Sequence, residues 1–356
     1  MTKKKYFLLP AFLLLQQISI AQNGGNSIFP FLNLPTSSRV NGMGGMVNNI
    51  YDDDVNLGFQ NPALFNEAMN NQVSFSPVLY LADSKYGFAG YSHSFHKKNL
   101  KPIGSFGIGV QYLNYGKFSE TDMVGNSIGE FKAFDEAFIL GYSRKYNEKL
   151  SYGLNAKYVN SLYDRYTASA FAFDLGGNYF DFKRELSVGV VLKNFGLAYN
   201  NFTSTSKEKM PFDIEAGISK KLKHTPFLFS INLHHLQKFN IRYDDPNDIQ
   251  QVILGDTTTQ RINHHTVDKI MRHAIFAAEI SIGKNLRIDI GYNNLRRQEL
   301  SVSTRKGLTG FCIGATIKVN RFNIGYSRSS FSVVDGVNHF TLGINLGEYI
   351  SKKKKN

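Results

Sequence analysis

The 356-residue chain has no tryptophan, one cysteine (Cys312) and nine prolines. A lone cysteine excludes an intramolecular disulfide framework, so packing and hydrogen bonding must hold the fold. Beyond the N-terminus no stretch approaches the roughly 18 consecutive apolar residues of a membrane helix, which excludes a helical membrane bundle. Acidic residues are also scarce, 28 against 41 basic, giving a net charge of +13. That excess is not a nucleic-acid footprint. Lys3, Lys4, Lys5, Lys352, Lys353, Lys354 and Lys355 hold much of it at the two ends. No basic patch interleaved with aromatics runs through the body, so no nucleic-acid partner is expected.

Behind the first three lysines comes a short apolar run, Tyr6 to Ile20, broken by Pro10. Ser19-Ile20-Ala21 then places small residues at the −3 and −1 positions of a cleavage site before Gln22. Residues 1–21 read as a secretory signal peptide, with no cysteine at the cleavage site to take a lipid. The basic tail, 348–356, reads as a periplasmic end or a contact with anionic lipid.

What is abundant is alternation. From about residue 72 to residue 347 apolar residues recur at every second position, the period of β-strands. Phe106, Ile108, Val110 and Tyr112 alternate with Ser105, Gly107, Gly109 and Gln111; Leu286, Ile288, Ile290 and Tyr292 alternate with Arg287, Asp289, Gly291 and Asn293. The pattern predicts about fourteen strands, near 72–80, 86–95, 104–115, 136–146, 149–162, 168–180, 185–195, 211–221, 226–236, 272–283, 285–294, 308–319, 321–329 and 338–347. Their length and even number predict an all-β, antiparallel outer-membrane barrel spanning 72–347. A β-sandwich would use shorter strands.

Connection lengths agree. Short turns follow the even strands, with only 96–103 longer, whereas 116–135, 196–210, 237–271 and 295–307 follow odd ones, although 81–85, 163–167 and 330–337 are shorter, so the long loops face outward and both barrel ends face the periplasm. Lys157, Asp174, Lys193, Asp213, Glu215, Glu279, Arg287, Asp289 and Lys318 lie on the face opposite the apolar one. Facing lipid at mid-bilayer, each Arg or Lys would cost about 2–4 kcal/mol, so these residues are expected in the lumen. Tyr91, Phe95, Tyr112, Tyr115, Tyr142, Tyr146, Tyr158, Tyr163, Tyr179, Tyr292 and Tyr326 fall near strand ends, where amphipathic aromatics suit the interface and strand propensity also favours them.

Residues 22–71 do not alternate. They carry Gly42-Met43-Gly44-Gly45, the acidic run Asp52-Asp53-Asp54, and Asn61-Pro62-Ala63. A small-residue turn, an acidic cluster placed to cap a helix over 54–60, and an Asn-Pro break describe a compact plug. This combination resembles the N-terminal hatch of FadL-type outer-membrane barrels. More narrowly, "IFPFLNLPTSSRVNGMGG", "YLNYGKFSETDMVGNSIGEF" and "PFLFSINLHHLQKFNIRYD" resemble the PorQ family of the type IX secretion system in the Bacteroidetes. That resemblance implies a fourteen-stranded barrel with a hatch in its lumen, integral to the outer membrane. It also implies a non-enzymatic role, tethering a PorZ-like surface protein in an attachment complex with PorV- and PorU-like components, near an anionic lipopolysaccharide. The long loops 116–135, 196–210 and 237–271 are the expected docking surface. The alternative is a FadL-type transporter of hydrophobic small molecules, which requires an apolar pocket and a wall opening, near Gly104, Gly107 and Gly109 or at Gly176-Gly177.

Motifs for chemistry are weak. Ser94-Phe95-His96-Lys97 and Ser204-Thr205-Ser206-Lys207 match Ser-x-x-Lys, but neither begins a helix and the Ser-Asp-Asn and Lys-Thr-Gly companions are missing. His234-His235, His264-His265 and His273 suggest metal by type, yet neighbours on a strand point to opposite faces and the loop pair lacks a third ligand at ligand spacing. Asp52 to Asp54 lack the glycine and distal glutamate of a calcium loop. No cofactor, metal site or catalytic residue is expected.

Overall fold

The computed structural model describes residues 27–80, 84–95, 104–203, 209–242, 266–300, 307–331 and 336–347. The expected signal peptide, the 348–356 tail, His264-His265 and most of loop 237–271 lie outside these residues.

Fourteen antiparallel strands form a closed barrel in which each pairs with its sequence neighbours and β1 closes on β14. They are β1 (Gln72–Leu79), β2 (Lys85–Phe95), β3 (Gly104–Thr121), β4 (Ser127–Lys145), β5 (Leu150–Tyr163), β6 (Tyr166–Asp181) and β7 (Leu186–Asn200), then β8 (Asp213–Lys221), β9 (Phe227–Leu233), β10 (Ala274–Ile282), β11 (Leu286–Asn293), β12 (Phe311–Val319), β13 (Phe322–Ser330) and β14 (Gly336–Asn345). The sequence alternation becomes an alternation of burial. On β3 Phe106 and Ile108 are exposed outward while Ser105 and Gln111 are buried inward. Closure leaves no unpaired edge, and an apolar outer belt around a polar lumen is the architecture of an outer-membrane barrel. Among the described residues no helix is long and apolar enough to cross a membrane.

The wall is uneven in height. β3 to β7 run 14 to 19 residues, whereas β8 to β14 run 7 to 10. At about 3.3 Å per residue, β4 extends roughly 63 Å and β9 roughly 23 Å. Most of the predicted loop 116–135 is therefore strand, and only 122–126 join β3 to β4. The β3–β4 pairing shifts once at Asn114/Gly116, where Gly116 takes φ 92°, and again near the tip. Loop 196–210 likewise begins later, since β7 continues to Asn200. We call the end carrying 146–149, 182–185, 222–226, 283–285 and 320–321 the turn end, and the opposite one the loop end.

Inside the barrel sit two short helices, α1 (Ser38–Gly42) and α2 (Val55–Gln60), with 3₁₀ turns at Pro30–Asn33, Pro62–Leu64 and Glu67–Met69. Ser37 caps α1 through Val40 N, and Asp54 caps α2 through Asn56 N, as the acidic cluster predicts. α1 packs on β11 to β14, α2 on β1 to β3, and the Pro62–Leu64 turn on β4 to β6. Their apolar residues, among them Met43, Leu57, Phe59, Leu64 and Phe65, form a core with Phe88 and Ile139 from the wall. A second core joins Ile28, Phe29, Phe31 and Leu32 to Tyr86, Leu113, Val159 and Val337.

Two further parts helices belong to the loop-end connections: α3 (Thr266–Arg272) before β10 and α4 (Asn294–Leu300) after β11.

Candidate functional site

The hatch is fastened to the wall by charge and by close backbone approach. Arg39, on α1 and buried, is the hub: its Nη2 lies 2.6 Å from Asp52 Oδ2 and 2.7 Å from Glu279 Oε2 on β10, and its Nη1 lies 3.5 Å from Asp54 Oδ2. Asp52 also meets Arg287 of β11 at 3.5 Å, and Asp53 meets Lys318 of β12 at 3.1 Å. The acidic run thus does three jobs: Asp52 and Asp54 partner the hub, Asp52 and Asp53 reach the wall, and Asp54 also caps α2. Burial would raise the Asp52 carboxyl, but the Arg39 and Arg287 guanidiniums outweigh it and hold it below the usual carboxylate range.

The small-residue motif works by letting backbones touch. Gly44 and Gly45 have φ of 97° and 99°, conformations that L side chains rarely adopt. Opposite them, a Cβ on Gly291 would sit 2.2 Å from Gly44 N, and one on Gly42 would sit 3.1 Å from Gly314 Cα. Met43 between them is fully buried in the hatch core. Asn61 accepts from Ala63 N at 3.0 Å and donates to Asn48 O at 2.7 Å. With Pro62 it nests against β5 and β6, where a Cβ on Gly153 would lie 2.4 Å from Pro62 C and one on Gly176 would lie 2.1 Å from Asn61 Oδ1. The receiving glycines were not singled out from sequence for this role. Their signal was present, in glycines at lumen-facing positions of alternating strands.

Two pairs of lumen-facing charges join neighbouring strands of the wall. Lys157 and Asp174 are 2.7 Å apart and Lys193 and Glu215 3.3 Å apart, all four buried. Two expectations change here. Tyr115 and Tyr163, placed at the interface by their strand-end positions, turn inward and donate to the buried carboxylate of Asp135, at 2.7 and 2.9 Å. An unpaired carboxylate in the lumen costs more than a lost interfacial ring. The glycines 104, 107 and 109 are not a kink: β3 pairs without a register shift from Ser105 to Asn114, and Gly107 and Gly109 make room for Phe65 and Phe59 of the hatch. A wall irregularity lies instead between β6 and β7, where pairing slips between Phe173 and Leu175. It is stitched from inside, since Asn194 N donates to Asp174 Oδ1 at 2.8 Å and Lys157 Nζ to Asn194 Oδ1 at 2.8 Å.

Outward aromatics form contacts towards both ends. Phe95, Phe106 and Tyr142 touch in sequence near the turn end, edge-to-face and tilted, with centroids 5.1 and 4.8 Å apart, and Tyr158, Phe171 and Tyr199 do so nearer the loop end, tilted and stacked, at 5.5 and 5.6 Å. Ser94 of the first Ser-x-x-Lys site is buried and shares its hydroxyl with Ser105 at 2.8 Å, a hydrogen-bonding role; Lys97 and the 204–207 site lie outside the described residues.

The histidine argument fails at one pair. β9 ends at Leu233, so His234 and His235 do not continue a strand, and His235 takes φ 56°. Their Nδ1 atoms approach to 2.7 Å, beside Asp213. A cavity of about 190 Å³ opens at this point towards the loop end, lined by Leu34, Pro35, Met46, Ile275, Leu295 and Phe331 as well as by the polar cluster. Another, of about 320 Å³ and lined by Asp52, Asp53, Glu279, Arg287 and Lys318, lies towards the turn end.

No protein-family model matches the chain, and no curated protein is significantly similar to it. Solved structures of similar fold include the toluene transporter TodX of Pseudomonas putida, at 12% identity over 87% of this chain and 96% of that one, with a TM-score of 0.49. The monoaromatic hydrocarbon channel CymD gives 14% identity over 89% and 97%, with a TM-score of 0.47. A FadL homologue of Pseudomonas aeruginosa gives 9% identity over 87% and 98%, with a TM-score of 0.45. The molecule itself is a closed fourteen-stranded barrel of outer-membrane type.

Proposed function

We propose that this barrel serves as a surface platform: a non-enzymatic outer-membrane component of a type IX secretion apparatus, PorQ-like, that holds a PorZ-like surface protein at its loop end, beside PorV- and PorU-like components. The observation that carries the reading is the way the lumen is filled. Hatch contacts reach strands around the whole circumference, with Asn48 and Asn49 meeting β7 to β9, and the buried Arg39 hub ties α1 to β10. What remains available is the tall side of the wall, where the β3–β4 hairpin exposes Met123, Val124 and Ile128 at and beside its tip. Apolar side chains raised clear of the membrane belt suit a protein partner. The resemblance in the hatch and loop segments supports the same assignment. Affinity capture of the barrel from detergent-solubilised outer membranes, read by mass spectrometry, should return surface components of the secretion apparatus. Capture of the barrel alone would refute the tether.

A second reading, passage of hydrophobic small molecules, is the activity carried by the names TodX and CymD. One feature of this chain favours it, the partly apolar cavity of about 190 Å³ at the loop end. The stitched β6–β7 bulge opposes it. Uptake of a monoaromatic hydrocarbon into vesicles bearing the barrel, faster than into empty vesicles, would favour transport over tethering.

A further inference from the structure

We propose that Asp213, His234 and His235 form a divalent transition-metal site of zinc type, which pins the connection leaving β9 onto β8. One ligand atom from each residue lies within 4.8 Å of the other two. Asp213 opens β8 with its side chain towards the lumen, and His235 N donates to its Oδ1. That bond fixes the carboxylate and leaves Oδ2 3.1 Å from His235 Nδ1. His234 Nδ1 stands 2.7 Å from the same His235 nitrogen.

At 2.7 Å the two Nδ1 atoms share one proton, one neutral ring donating and the other accepting, and a cation can take the place of that proton. A tetrahedral zinc with Zn–N of about 2.0–2.1 Å holds its nitrogens about 3.3 Å apart, so widening the pair by roughly half an ångström admits the ion. Two imidazoles and one carboxylate are the donor set that borderline cations prefer. The neighbouring Lys193 is paired with Glu215, at 3.3 Å. The 190 Å³ cavity beside the cluster leaves a fourth position for water.

His273 has a supporting role. Its Nδ1 lies 2.7 Å from His234 O and its Nε2 3.2 Å from Phe239 O, while His234 N donates to His273 O at 3.0 Å. The ligand pair is thus framed by the residue that leads into β10. Backbone reversal at His235 brings neighbours in sequence onto one ion, and no strand could do this.

The test uses the full-length barrel in detergent, with His264→Ala and His265→Ala in place so that the loop pair does not contribute. Equilibrium dialysis against zinc, with metal measured by mass spectrometry, should give one equivalent per chain. His235→Ala and Asp213→Asn should each weaken binding at least tenfold while the barrel still migrates as a folded, heat-modifiable band. If a variant fails to fold, cobalt on the parent supplies the reading, with visible bands of tetrahedral nitrogen and oxygen ligation expected. Zinc should also slow hydrogen exchange over 234–242 and 266–273. Binding equal in parent and folded variants, a featureless cobalt spectrum, or exchange unchanged by zinc would overturn the proposal.

Discussion

At the residue scale, Arg39 carries more of the assembly than any neighbour, because it is buried among three carboxylates from two parts of the chain. Removing one partner of such a buried cluster leaves the others uncompensated, a loss of about 3–5 kcal/mol. Arg39→Ala should therefore lower the urea midpoint of the hatch and raise its protease sensitivity, with the wall strands still closed. A midpoint equal to the parent's would show that the hub is dispensable. Gly291→Val tests the backbone contact in the same way. Its side chain would displace Gly44, and overpacking of this kind costs about 1–3 kcal/mol. Thermal melts should show the decrease, and an unchanged melt would mean that the hatch has room to shift.

The same hub sets a pH dependence. The Asp52 carboxyl is held below its usual range in the folded state, so it binds fewer protons there than in the unfolded chain. Its contribution is present above about pH 4, the unfolded carboxylate value, and is lost as pH falls through the depressed folded value. Hydrogen exchange over α1 and α2 should accelerate as pH is lowered below about 4, after correction for intrinsic rates, and Asp52→Asn should remove most of that acceleration. Equal acceleration in the variant would place the sensitivity elsewhere.

At the scale of elements, the strands were the legible part, because a wall with lipid on one side and lumen on the other imposes alternation on every residue between. The strand predictions near 226–236 and 285–294 run within about three residues of β9 and β11 at each end. Legibility stopped where that asymmetry stopped. Ser119-Glu120-Thr121 and Gly129-Glu130 stand in the tall hairpin beyond the belt, polar on both faces, so the pattern gave a loop where the backbone pairs on. The inward Tyr115 and Tyr163 escaped for a related reason: a tyrosine near a strand end suits either face, and only the position of Asp135 decides. Residues 22–71 were legible as a break in the alternation, and the wall glycines that meet them only as part of a pattern. His234 and His235 were expected on opposite faces because the strand was extended past Leu233, where that rule no longer holds. Replacing 118–131 by a two-residue turn should leave the barrel folded and heat-modifiable, since β3 and β4 keep their pairing below Gly116. A barrel that no longer closes would show that the hairpin stabilises the wall.

At the scale of the whole molecule, the closed sheet, the filled lumen and the uneven wall point to one division of labour. The belt holds the protein in the membrane, the hatch fills the interior except for the two cavities, and the tall side presents surface. A mean hydropathy of −0.25 fits this arrangement, because half of each strand faces the lumen and not lipid. Tyrosine and phenylalanine serve the interface where tryptophan is absent. The most direct test of the platform is the cell-surface content of a PorZ-like partner in cells carrying the shortened β3–β4 hairpin at parental barrel levels, measured by surface labelling. The account predicts that the partner is lost from the surface into the medium; full surface retention beside a correctly folded, shortened barrel would contradict it.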